Sequence, residues 1–165
     1  MKRPFTDSQR QEFGAFRWNA TTSAAWDLTA RYAKILRASV VVFQCPARFK
    51  PTEANVERMR VFFREADRHG LRFLWEPRGE WPDELLRELC TELDLVHVVD
   101  PFVNSTVTPE AIYYRLHGTT GSRHVYSDAE LRKLRAMVTA SGDSFVMFNN
   151  IPREGDSERF LRLTS

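Results

Sequence analysis

Two carboxylates, an imidazole and two guanidiniums stand out as side chains that could do chemistry together. Glu76 sits in Glu76-Pro77-Arg78-Gly79, Asp100 in Asp100-Pro101, and Arg115 and His117 in Arg115-Leu116-His117-Gly118. A carboxylate beside an imidazole can move a proton in either direction, and guanidiniums hold anions with paired hydrogen bonds. Glu76 or Asp100 is therefore expected as a general base and His117 as an acid. Arg78 and Arg115 are expected to hold an anion, and Gln44, Asn149, Asn150 and Tyr126 to orient a polyhydroxylated or phosphorylated substrate. The competing reading makes Glu76 and Asp100 the neutralising partners of Arg78 and Arg115, since buried charges are normally paired.

Other groups carry weaker signals. Glu76, Asp100 and His117 are types that suit a divalent cation, but no His-x-x-x-His or comparable spacing supports a metal, and the expected metal set is none. The cofactor is left unknown. Cys45 follows an apolar run and could be a thiolate, although a free cysteine is commonly a buried apolar residue. The segment His117-Gly118-Thr119-Thr120-Gly121-Ser122-Arg123 is small and hydroxyl-rich and could cradle an anion on its N–H groups. Arg153-Glu154-Gly155-Asp156-Ser157 precedes a final helix, where an Asp cap would already occupy the donors. Trp75, Trp81 and Tyr126 could stack on a base or sugar, but aromatics of this kind more often pack a core. His97 reads as a core residue, and His69 and His124 as exposed.

The elements that must position these groups are legible in the hydrophobic pattern. Five short apolar runs read as strands: Val40–Gln44, Phe73–Glu76, Leu95–Val99, Ile112–Leu116 and Phe145–Phe148. The first is continuously apolar and β-branched, as in a strand buried on both faces. Between them lie helical patterns. Trp26, Thr29, Ala33 and Leu36 mark one. Val56, Met59, Phe62, Phe63 and Ala66 mark the next, capped by Thr52 and closed by Gly70. Leu85, Leu86 and Leu89 follow Pro82 at a first turn. Ser127 and Glu130 form a capping box before Leu131, Leu134 and Val138, and Gly142 ends that helix. Asp156 or Ser157 caps a short last one.

Strands alternating with helices imply an α/β fold with a parallel sheet, an incomplete TIM-barrel-like βα repeat of about five strands with flanking helices. Residues 1–20 read as a loop or tail with isolated aromatics, and 21–165 as one partial barrel domain. In such folds ligands bind where the strands end and the βα loops begin. Every strand here ends in a polar or rigid signature, so the candidate residues are expected on one polar floor. Alternation places Tyr113, Arg115 and His117 on one face of their strand, and Ile112, Tyr114 and Leu116 on the other.

Bulk properties narrow the class. The 165 residues are 42% hydrophobic and 28% charged, enough apolar material for one soluble domain. No apolar run approaches the length of a membrane span, and the start of the chain lacks a signal-peptide core. Two cysteines are too few for a disulfide scaffold, which points to a reducing, cytoplasmic compartment. The net charge is only +2, against binding of polyanions by bulk charge alone. Arginines outnumber lysines twenty to four.

The motif series resembles a known family. Its carriers are Val42-Phe43-Gln44-Cys45-Pro46 with Phe49, Pro51-Thr52-Glu53 and Asn55; Trp75-Glu76-Pro77-Arg78-Gly79 with Trp81; Leu95 to Pro101; Tyr114-Arg115-Leu116-His117-Gly118; Tyr126; and Phe148-Asn149-Asn150-Ile151. In this order, from roughly Phe13 to Phe160, they resemble the YecE-like family, also called domain of unknown function 72. The resemblance implies a barrel of about eight strands, of which this chain matches the last five βα units. A Gly-Thr-Ser-Gly-Trp-type first strand is absent. It further implies two exposed sheet edges, which would drive oligomerisation or take up strands from elsewhere. The fold analogy reaches sugar-phosphate isomerases and apurinic-site endonucleases, but a shared fold does not fix function. Two alternatives to an enzyme stand beside it: a module that binds nucleic acid or phosphate without chemistry, and a non-functional truncated fragment.

Overall fold

The computed structural model describes residues 12–138 and 144–164, with the side chain of Thr164 left undescribed. Gly142, expected to end a helix, lies outside the described residues. The fold is α/β, five parallel strands alternating with helices in an incomplete α/β-barrel type of arrangement. By its internal contacts the chain divides into two compact units, Met1–Leu95 and Val96–Ser165.

The first unit is built from α1 (Ala20–Ile35), β1 (Val40–Gln44), α2 (Glu53–Glu65), β2 (Arg72–Glu76) and α3 (Asp83–Glu92). β1 and β2 pair in parallel from Val40 opposite Arg72 to Gln44 opposite Glu76. Asn19 opens α1: its side chain accepts from the Thr21 and Thr22 amides while Thr22 reaches back to the Asn19 amide. Thr52 caps α2 as expected, accepting from the Asn55 amide. The buried stripe of α1 is Trp26, Ala30 and Ala33. Thr29 and Leu36, expected on it, are exposed. β1 is half-buried rather than sealed on both faces.

The core of this unit is aromatic. Phe43 meets Phe62, Phe63 and Phe73, and Phe62 meets Phe63, edge-to-face at centroid distances of 5.1–5.6 Å, the geometry that opposes positive ring edges to negative faces. Phe16 and Trp18, which read as isolated aromatics of a tail, pack into the same cluster: Phe16 lies 5.0 Å from Phe63 and Trp18 5.4 Å from Phe62. The indole of Trp26 packs on Phe73 and donates from Nε1 to the Asp67 carbonyl at 2.9 Å. Gly70 does not close α2, which ends at Glu65. It takes a φ of +79° in the turn before β2.

The second unit contains β3 (Leu95–Val99, all but its first residue), β4 (Tyr113–Leu116), α4 (Asp128–Met137), β5 (Phe145–Phe148) and α5 (Arg153–Thr164). β4 lies between β3 and β5, parallel to both. Tyr114 and Leu116 point into a core with Ile112, Tyr126, Leu131, Leu134 and Phe160, so the apolar face of β4 is the one that alternation assigns. Ser127 and Glu130 form the expected capping box of α4. The last helix begins at Arg153, three residues before the expected cap. Asp156 is therefore a buried residue of its first turn, and Arg153–Ser157 is helix rather than a phosphate loop.

Candidate active site

The sequence-expected residues divide between the units. Gln44, Glu76 and Arg78 belong to the first; Asp100, Arg115, His117, Tyr126, Asn149 and Asn150 belong to the second.

In the first unit, register sets Gln44 opposite Glu76 at the carboxyl ends of β1 and β2. Gln44 is exposed, whereas Glu76 is 4% exposed and takes the Arg78 Nε on its carboxylate at 2.9 Å. The ion pair expected between Glu76 and Arg78 is thus present. The loop that carries Arg78 is held close to the end of β1, because a Cβ on Gly79 would stand 2.9 Å from the Ala47 carbonyl oxygen. Next to Glu76, the Cys45 amide donates to the Glu76 carbonyl at 3.0 Å and the Trp75 indole donates to Cys45 Sγ at 3.3 Å. Burial pushes the Cys45 thiol up to about 11, against the pull of the Trp75 hydrogen bond. A thiol so held is protonated at neutral pH and is no nucleophile. Trp75 and Trp81 stack on each other edge-to-face at 4.9 Å and are buried, so they pack the core and offer no platform for a base.

In the second unit, the ends of β3, β4 and β5 bring Asp100, His117 and Asn149 together. Asp100 Oδ2 accepts the His117 amide at 2.9 Å, and Oδ1 accepts the Phe102 amide at 3.1 Å. Both carboxylate oxygens thus take backbone donors, and Asp100 fixes the backbone at His117. Asn149 Nδ2 lies 3.1 Å from His117 Nδ1. An amide nitrogen can only donate, so Nδ1 accepts and the neutral ring carries its proton on Nε2. Arg115 stands two residues before His117, half-buried on β4 opposite Met147.

The segment after His117 folds back on itself. The Gly121 amide bonds to the Gly118 carbonyl, the His124 amide to the Gly121 carbonyl, and the Gly118 amide to the Tyr126 hydroxyl at 2.9 Å. Three of the N–H groups in this stretch are therefore committed within the protein, which weakens it as an anion cradle. Tyr126 is fully buried, its phenol pushed up to about 12 by that burial despite the Gly118 N–H. It is a core post under the loop rather than a substrate-stacking ring. Asn150 likewise faces inward: its Nδ2 donates to the His124 carbonyl at 2.8 Å and to Asp156 Oδ2 at 2.6 Å.

His124 is half-buried rather than exposed. It is bonded to Glu130 at 3.0 Å and to the Thr120 hydroxyl at 3.0 Å. No sequence pattern marks this pairing apart from the capping box that already holds Glu130. His97 is a hydrogen-bonded core residue, its Nδ1 taking the Val107 amide at 3.2 Å. Among the described residues no group of three or more His, Cys, Asp or Glu side chains is arranged to hold a metal ion, and no helix is long and apolar enough to cross a membrane.

Comparison with known proteins gives two matches. The family described as "Protein of unknown function DUF72" matches residues 2–163. A crystal structure of a DUF72 family protein from Enterococcus faecalis superposes with a TM-score of 0.66 at 19% identity, over 89% of this chain and 66% of that one. The chain thus spans just under two-thirds of that relative's length, and at this identity the likeness is one of fold. No curated protein matches the sequence significantly.

Proposed function

The chain belongs to the DUF72 family, whose function is unknown, and from that premise we propose that it is an enzyme acting on a phosphorylated or polyhydroxylated small molecule at the carboxyl ends of its strands. The observation that carries this reading is the Asn149–His117 hydrogen bond at 3.1 Å. It holds the neutral imidazole with its proton on Nε2, the form that polarises a substrate oxygen by donating a hydrogen bond to it. Asp100 is a positioning residue in this scheme, since it grips the backbone of His117 rather than a substrate. Arg115 supplies the cation for a phosphate.

For the first unit taken by itself, Glu76 retains the base assignment, and Arg78 with Gln44 the substrate-binding one. A cytoplasmic location suits the two buried free thiols, Cys45 and Cys90. Membership of the YecE-like branch, correspondence to the last five βα units, and association through a sheet edge belong to the same reading.

The test is a thermal-shift screen of sugar phosphates and polyols, followed by turnover of whichever compound binds. His117→Ala is expected to lower turnover by about 10²–10⁴ with the melting temperature kept. Asn149→Ala should lower kcat and shift its pH profile, as the ring loses its fixed tautomer. A screen in which no compound raises the melting temperature overturns the proposal, as does full turnover in His117→Ala.

A further inference from the structure

A second candidate site lies in the first unit, away from its strand carboxyl ends. A groove of about 710 Å³ opens where α1 ends and β1 and β2 begin, lined by Asp27, Arg31 and Lys34 of α1, Arg37 of the turn after it, and His69 and Leu71 of the turn before β2. Arg31, Lys34 and Arg37 follow at three-residue steps, so they run along one side of the helix and its continuation. Among the described residues none of the three side chains makes an ion pair or hydrogen bond. Three cations on one side repel one another, with Asp27 the one acidic side chain among the described residues that line the groove.

The backbone supplies the second observation. α1 closes with the Ala38 amide on the Ala33 carbonyl and the Arg37 amide on the Lys34 carbonyl. That double closure is the Schellman arrangement, in which the residue at Arg37's place is left-handed and is usually glycine. Arg37 adopts it at a φ of +52°, and His69, across the groove, is left-handed too at +49°. An ordinary side chain in this region is strained, and such strain gathers at ligand-binding places. Neutralising the negative end of the α1 dipole would favour Lys34 and Arg37. That effect fades within the last turn, so it leaves Arg31 unexplained, and it gives no reason to prefer a strained arginine to glycine.

We propose that this groove binds a polyphosphate chain, with Arg31, Lys34 and Arg37 on its phosphates and Leu71 on the wall beside it. Guanidiniums fork onto phosphate oxygens, and the volume is that of a small-molecule site. The chain could be inorganic or the tail of a nucleotide. The proposal does not depend on His117, so His117→Ala leaves it untouched.

Calorimetry on the whole chain at low salt, with inorganic tripolyphosphate and with ATP as probes, tests it. Tripolyphosphate is expected to bind, with the affinity falling at least tenfold in the double variant R31Q/K34Q and again at half-molar salt (roughly, from screening). ATP tighter than tripolyphosphate identifies a nucleotide ligand, and equal affinities an inorganic one; either supports the site. Arg37→Gly separates ligand binding from structure: it is expected to weaken binding while raising the melting temperature by about 2–4 °C, as glycine relieves the left-handed turn. Absence of binding by both probes, an affinity indifferent to R31Q/K34Q, or a single-stranded oligonucleotide displacing both probes overturns the proposal.

Discussion

Gly118 shows how one residue shapes the loop after His117. At a φ of +88° it would place any Cβ against the Gly121 carbonyl oxygen and 2.8 Å from His124 Cβ. Neither neighbour can retreat, because the Gly121 carbonyl accepts the His124 amide. Gly118→Ala is expected to destabilise the protein by about 3 kcal/mol or to expel the loop, read as a fall in urea midpoint with loss of the Tyr126–Gly118 contact. A wild-type midpoint would show that the loop is free to move. The glycine was legible in sequence as part of the Leu-His-Gly motif, but its reason was not, since it depends on the return of the chain at Gly121. Asp100 makes the same point. Its position at a strand end was readable, while the fate of its two oxygens rests on amides at Phe102 and His117, and backbone donors leave no signature in residue types.

At the scale of elements, α5 is held by charge as well as by apolar packing. Asp156, 1% exposed, receives Arg159 at 2.6 Å and Asn150 at 2.6 Å, and Arg159 also reaches the Tyr126 carbonyl and Asp128. Removing one member of a buried pair leaves the other uncompensated. Asp156→Ala should cost about 3 kcal/mol, visible as a lower melting temperature, whereas Asp128→Ala, at the exposed end of the same arginine, should cost under about 1 kcal/mol. Equal losses would place the stability elsewhere. Strand boundaries were readable almost to the residue because each run of β-branched and aromatic residues is short and stopped by Pro, Asp-Pro, His-Gly or Asn. Helix ends were less so. The start of α5 is hidden in the sequence because Asp156 has the chemistry of a cap and its burial against Tyr126 is a tertiary fact. The exposed faces of α1, with Leu28, Tyr32, Ile35 and Leu36, are apolar enough to be mistaken for core.

Across the whole molecule, burial raises acids in both units, Cys45 in the first and Tyr126 with Tyr114 in the second. Burial raises Cys45 from 9.0 to about 11 and Tyr126 from 10.0 to about 12. Unfolding frees both to ionise at their lower ordinary values, so the stability they confer is complete below pH 9 and is lost as pH rises through 9 to 12. All four tryptophans, at 18, 26, 75 and 81, lie in the first unit. Indole emission therefore follows the unit of Cys45, and the phenolate absorbance lost in Tyr126→Phe follows Tyr126 among the four tyrosines. Denaturation midpoints should fall steadily from pH 9 to 11.5 by both signals; a flat profile would mean that neither group is sealed.

The indole of Trp26 has a mechanical role that its burial hides. Its single N–H spans from α1 to the peptide preceding Arg68, and so acts as a strut between the helix that carries Arg31 and Lys34 and the turn that carries His69. Trp26→Phe keeps an aromatic ring against Phe73 but removes the strut. The spacing between the cationic side of α1 and the turn of His69 would then be free to vary, and any anion seated there would find a hinge where it had found a frame.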